Sequence, residues 1–271
     1  MTQNLFNGCE LFMFPHTAYT QMMSFGIRDK NGKFIMIDGG NVEEGKYLEN
    51  FLVSNGITVN EWFITHAHSD HIDALTYILK SGKVKIERIY FNFPPVKWLY
   101  FTEPDSEQST EAFLNAVKTS GAAVITPKKG ESFDFGNISF KALTNPEENT
   151  GDGIINNSSL VLRMNTPGIS VLFLGDLEIS GGQRLMKDFP KEIKCEGVQM
   201  AHHGQHGVSE EFYDFVKPQY CFWPTPTWLY NNDSGGGYGS GDWETLQTRR
   251  QTEKLGVKRN FVSENNFQVI R

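Results

Sequence analysis

The stretch FITHAHSDHIDAL, residues 63–75, places His66, His68, Asp70 and His71 within six positions, directly after an apolar run. Only seven histidines occur in the 271 residues, so three in one short segment need a reason. Side chains two apart in an extended segment share a face. His66 and His68 therefore point one way, and Asp70 and His71 turn to a neighbouring position. Imidazole nitrogen and carboxylate oxygen are the donors that zinc prefers. Two such ions about 3.5–4 Å apart can clamp both the attacking and the leaving oxygen of a hydrolysis. One loop is thus able to serve two metals.

Working outward, short apolar strands alternate with amphipathic helices. KFIMIDGG reads as a buried strand ending in a turn, and EEGKYLENFLVSNG as a helix stopped by Gly56. EWFITH is the next strand and DALTYILKSG the next helix, followed by the strand IERIYFN and the helix STEAFLNAVKTSG. ESFDFGNISFKAL, SSLVLRMN and ISVLFLGD then follow as consecutive strands separated by turn residues, which predicts an antiparallel meander. Strand–helix pairs resume after it. The expectation is one α/β domain spanning residues 1–271, with no linker-like boundary. His66, His68 and His71 lie on a loop at the carboxyl end of EWFIT, where open α/β sheets place their sites. Asp176 follows VLFLG in the same way, and His202 and His203 follow GVQM. Three strand ends carrying metal-competent side chains imply convergence on one point.

His66-x-His68-x-Asp70-His71 resembles the H-x-H-x-D-H signature of the metallo-β-lactamase superfamily. The accompanying marks occur in that family's order: IDGG at Ile37–Gly40 with Asp38 at its strand end, a strand ending in Asp176, and a later strand ending in His202. More narrowly, NNSSLVLR, FLGDLE and AHHG are similar to the hydrolase domain of ComEC-type DNA-uptake proteins and their soluble relatives. The resemblance implies an αββα sandwich of two mixed sheets flanked by helices. It also implies two divalent metal ions, zinc or manganese, sharing a hydroxide nucleophile. His66 and His68 would bind the first, Asp70, His71 and His202 the second, with Asp176 bridging and Asp70 orienting the nucleophile. His203 is the alternative to His202, which is preferred because it comes first after its strand. The superfamily usually supplies a third histidine to the first metal, yet no histidine occurs between His71 and His202. Asn156 or Asn157 stands at the expected place, open between a ligand, a partner of a ligand and a turn residue. An amide oxygen is a harder, weaker ligand than imidazole, so the first site is expected to be the leakier one or to favour manganese.

Asp38 is read as the support of a ligand imidazole, and His206 as a pocket-rim residue that either donates a proton to the leaving group or is plain surface. Trp228, Tyr230 and Tyr238 surround the Gly-rich SGGGYGSGDWE, residues 234–244, which is read as a lid or edge of the pocket; these rings either stack on substrate or pack. The formal charge is −7 and no long basic run occurs, so net charge does not support nucleic-acid binding, although a local patch is compatible with it. A small molecule or nucleotide is the expected substrate, with no membrane partner. Cys9, Cys195 and Cys221 are odd in number and widely spaced, as in a reducing compartment. No signal-like segment is visible, and a cytoplasmic location is expected. The expected activity is metal-dependent hydrolysis of a phosphodiester. The alternatives are hydrolysis of a thioester, lactone or lactam, and a non-catalytic metal-binding interaction domain.

Overall fold

The computed structural model describes residues 4–98, 103–146, 153–264 and 266–271. Its strands form two seven-stranded sheets. In the first, β14 (Gln268–Ile270), β1 (Glu10–Met13), β2 (Phe25–Arg28) and β3 (Phe34–Ile37) pair antiparallel, and β4 (Val59–Phe63), β5 (Ile86–Tyr90) and β6 (Ala123–Ile125) continue parallel to β3. The second repeats that plan. β7 (Ser132–Asp134), β8 (Ser139–Ala142), β9 (Leu162–Asn165) and β10 (Ser170–Phe173) form the antiparallel meander, extended in parallel by β11 (Gly197–Gln199), β12 (Tyr220–Trp223) and β13 (Arg259–Val262).

The inner faces meet in one apolar layer. Ile35, Ile37 and Phe63 from the first sheet pack with Leu162, Met164 and Phe222 from the second, and ring pairs bridge them: Phe25 to Phe173 at 5.4 Å and Phe63 to Phe140 at 4.9 Å between centroids. Because side chains alternate across a strand, Phe34, Met36 and Trp62 face the other way. There they pack on Leu48 and Leu52 of α1 (Val42–Ser54), Ile72, Leu75 and Ile78 of α2 (Ser69–Ser81), and Phe113 of α3 (Glu107–Thr119). This burial on both faces explains why β3 reads as an unbroken apolar run. After the short α4 (Ile154–Asn157), the outer face of the second sheet is covered by Leu185 of α5 (Ile179–Asp188) and Phe212 and Val216 of α6 (Glu210–Val216). The architecture is the αββα sandwich of two mixed sheets.

Some local expectations shift. α2 starts at Ser69, so Asp70 and His71 occupy its first turn and not a loop. Extended His68 is the residue before it, and an acidic Asp70 is favoured at the positive helix end. α3 begins at Glu107, fed by a 3-10 turn at Pro104–Ser106. The short strands β1, β2 and β6 and the one-turn α7 (Thr227–Tyr230) carry too few residues for periodicity to reveal. All three cysteines are buried and free. Among the described residues, no helix is long and apolar enough to cross a membrane.

Candidate metal centre

The parallel registers bring the strand ends together. Ile37 lies opposite Phe63 in the first sheet, so Asp38 and Thr65 emerge side by side, and Asp38 N donates to Phe63 O at 2.8 Å. In the second sheet β10 and β11 deliver Asp176 and the 202–203 pair, and His202 N donates to Gly175 O at 3.1 Å. Gly175 is where the two layers touch: a Cβ there would lie 2.8 Å from Ser159 Oγ and 3.0 Å from Thr65 Cβ, and its φ is +58°. Glycine meets both demands.

Two clusters of metal-competent atoms result, Asp70, His71, Asp176 and His203 in one, His66, His68 and Asp176 in the other, with the atoms of each lying within 4.8 Å of one another. Asp176 Oδ2 is common to both, 3.3 Å from His71 Nε2, 3.4 Å from His203 Nε2 and 3.8 Å from His66 Nε2. His203 Nε2 also lies 3.1 Å from Asp70 Oδ2. The expected place of His202 is thus taken by its neighbour. His202 Nε2 is 3.9 Å from Asp176 Oδ2 and its ring is partly open to the cleft. The reason is backbone conformation. Both residues are left-handed, with φ of +50° and +55°, so the chain turns His203 inward where a simple strand end would have directed His202. Such a conformation costs roughly 1–2 kcal/mol per residue. It is held by hydrogen bonds from Thr225 Oγ1 to His203 O at 2.7 Å and from Gln205 N to His202 O at 2.9 Å.

Each inward ring is oriented from behind. Asp38, fully buried, accepts from His71 Nδ1 at 2.7 Å, Thr65 N at 2.8 Å and Thr65 Oγ1 at 2.7 Å. The single Thr65 hydroxyl proton is committed to Asp38, so Thr65 Oγ1 accepts from His66 Nδ1 at 3.1 Å. Asp38 thereby reaches one ring in each cluster, as the support it was expected to be but for two imidazoles. His203 Nδ1 donates to Pro224 O at 2.8 Å, and His68 Nε2 donates to Glu103 Oε2 at 2.8 Å. Glu103 carried no sequence signal: it is one acid in a Pro-bearing connection, 35 residues from its partner.

These bonds test whether the residues fit a cation. With His66 Nδ1 and His68 Nε2 both donating outward, the nitrogens that face each other at 3.0 Å, His66 Nε2 and His68 Nδ1, both present lone pairs. Opposed lone pairs at that distance require a proton or a cation. Nearby, Asp176 Oδ1 is buried without a hydrogen-bond partner. The electrostatics agree. Burial alone would lower His71 and His203, yet the surrounding carboxylates of Asp176 and Asp70, joined by Asp38 at His71, push His71 well above the usual histidine range and His203 up to about 10. Burial pushes Asp38 up; it would do the same to Asp70 and Asp176, but the histidines hold both below the ordinary carboxylate range. The site calls for positive charge, and the residues fit divalent metal.

The other candidates fall elsewhere. Asn157 Oδ1 accepts from Glu178 N at 3.3 Å and Gly181 N at 3.1 Å, which caps α5. Asn156 Nδ2 donates to Glu178 Oε1 at 2.8 Å, leaving a buried Oδ1 with no hydrogen bond. His206 is exposed, 3.8 Å from Glu244, and is not gathered into either cluster. Trp228 stacks on Tyr19 and meets Trp243 edge-on, Tyr230 packs on Trp223, and Tyr238 is 69% exposed. A cleft of about 330 Å³ reaches the centre, lined by Gln21, Ser69, Asp105, Ser106 and Ser109 together with His68, Asp70, Asp176 and His202. None of the three rings lines it, nor does the Gly-rich loop, which is a turn around Asp233 Oδ1. A larger groove of about 750 Å³, bordered by Arg28, Lys30, Arg259 and Arg271, contains none of the clustered histidines.

Comparison with known proteins agrees with this geometry. Residues 24–218 match the Metallo-beta-lactamase superfamily, and the chain belongs to that family as a hydrolase of its fold. A curated relative is ComE operon protein 3 of Bacillus subtilis (strain 168), 35% identical over 176 residues; the match takes in 64% of this chain but only 21% of that protein. Among solved structures, the metallo-beta-lactamase fold protein YhfI from Bacillus subtilis superposes with a TM-score of 0.58 at 11% identity, covering 96% of this chain and 99% of YhfI. CmlA, a diiron beta-hydroxylase from Streptomyces venezuelae, gives 0.57 at 12% identity, covering 97% and 54%. At these identities the likeness is one of fold.

Proposed function

We propose that this chain hydrolyses phosphodiesters at a centre of two divalent ions, zinc or manganese, held by His66 and His68 on one side, Asp70, His71 and His203 on the other, and Asp176 between them. The observation that carries the reading is the pair of clusters sharing Asp176 Oδ2 at the foot of an open cleft. The ions would supply Lewis acidity and lower the pKa of a bound water to about 7. The chain's own residues supply the rest. Asp38 and Thr65 fix the ring orientations, and Asp70 and Asp176 place negative charge where ions must sit. Ser69, Ser106 and Gln21 line the cleft with donors for phosphoryl oxygens, while the Ser109 hydroxyl is committed to Asp73.

The choice of a phosphodiester rests on the similarity to ComEC-type proteins, which the identity to ComE operon protein 3 supports. One feature favours a second reading: the described lining of the cleft holds no lysine or arginine. A neutral lactone or thioester needs no such cation, whereas a phosphodiester must have its charge met by the ions alone. The two readings separate on turnover of bis-p-nitrophenyl phosphate with added manganese or zinc, beside a lactone and thioester panel. The expected result is phosphodiester cleavage that chelation and His68→Ala each abolish. Turnover confined to the panel would overturn it.

A further inference from the structure

We infer that Glu103 is the positioning residue of the His66–His68 half of the centre, setting the tautomer of His68 and with it the affinity for the first metal; this rests on the metal-centre reading above. Two observations meet at its carboxylate, and a third comes from the other half of the centre. Glu103 Oε2 accepts from His68 Nε2 at 2.8 Å, on the ring edge opposite the one that faces His66. A proton held on Nε2 leaves Nδ1 as the lone-pair donor, so the bond selects the form of His68 that can ligate. Glu103 Oε1 accepts from Ile155 N at 3.4 Å, which ties the residue to the start of α4. The connection that carries Glu103 is thereby fixed to the segment leading to Ser159, whose hydroxyl lies 3.5 Å from His66 Nδ1. Finally, the other half has the same device in a different place: Asp38 accepts from His71 Nδ1 and frees His71 Nε2 for the cluster.

Glu103 bonds to the nitrogen turned away from His66, so it acts through His68 and not as a ligand. Carboxylate partners of ligand histidines typically change metal affinity 10- to 100-fold. Nothing in the apolar layers depends on Glu103, whose side chain is 30% exposed, so its variants should fold.

The test titrates the metal-stripped full chain with zinc against a chromophoric chelator, beside Glu103→Ala and Glu103→Gln. In wild type two equivalents are expected. In Glu103→Ala the weaker one should bind roughly 10- to 100-fold less tightly with the tighter one unchanged, and Glu103→Gln, whose amide oxygen still accepts from Nε2, should recover most of the loss. Long-range ¹H–¹⁵N spectra should show His68 protonated on Nε2 in wild type and as a tautomer mixture in Glu103→Ala. Equal affinities in wild type and Glu103→Ala would overturn the inference and leave the centre standing. Equal losses in the Ala and Gln variants would overturn it in favour of direct ligation. A wild type that takes up no metal would overturn the centre itself.

Discussion

The two halves of the centre share Asp176 but are built from different materials. Asp70, His71 and His203 stand at strand ends or in a first helical turn, and the groups behind the rings, Asp38 and the Pro224 carbonyl, belong to the same packed layers. His71, His203 and Asp38 are fully buried. His66 shares that setting, but its companion His68 is 21% exposed at the side chain and leans on Glu103 from a surface connection. A ligand set held by buried strand ends is fixed by the packed layers, while one that leans on a half-exposed connection is positioned less precisely. The expectation of a leakier first site therefore has a physical basis besides the missing third histidine.

Removing what the halves share should have the largest effect. In Asp176→Ala both clusters lose their common oxygen, and metal analysis after dialysis should find neither equivalent retained. Loss of an orienting partner alone costs 10- to 100-fold in activity, so turnover should drop by more than about 100-fold. Retention of one tight equivalent would show that the halves are independent. Next in size is the contrast between neighbours. His203→Ala should strip the buried half while the His66–His68 half still binds, whereas His202→Ala should leave both affinities within about threefold of wild type. Metal stoichiometry in the two variants checks this, and the opposite order would return His202 to the place its position after the strand predicted.

That contrast also shows what could be read from the chain. The signature 66–71, Asp176 and Asp38 were legible because each follows an apolar strand directly, and a strand end fixes where a side chain emerges. The same logic failed at 202–203, since two consecutive left-handed residues invert the order and nothing in AHHG announces them. Asn157 was hidden for another reason. Its amide oxygen accepts from Glu178 N and Gly181 N at the start of α5, 21 and 24 residues further along the chain, a pairing that no local pattern shows. Glu103 had no local pattern at all, because its role arises only when a connection folds back across 35 residues. The fold, resting on short unbroken apolar strands, amphipathic helices and a meander, was the more legible part. Trp228 and Tyr230 pack on neighbouring rings, the alternative that composition alone could not separate from stacking on substrate.

Protons should distinguish the halves most finely. His203 is held up to about 10 by Asp176 and Asp70, and His71 is also raised, so at pH 8 the buried half carries protons that an incoming cation must displace. His66 is held well below its ordinary value by burial and by the neighbouring His71, so its ring is neutral, keeps only the Nδ1 proton it donates to Thr65, and has no second proton to give up. Zinc binding to the tighter, buried half should release protons and strengthen as pH rises towards about 10, and calorimetry in two buffers of different ionisation enthalpy would count them. Without metal the sign reverses. A histidine raised in the folded state stabilises fully below its unfolded value near 6.5 and loses that contribution as pH climbs through about 10. The stripped chain should therefore melt at lower temperature at pH 9 than at pH 6.5, and His203→Ala should flatten that slope. A stripped chain that melts alike at both values would mean that metal-free Asp70 and Asp176 are relieved by something other than protons.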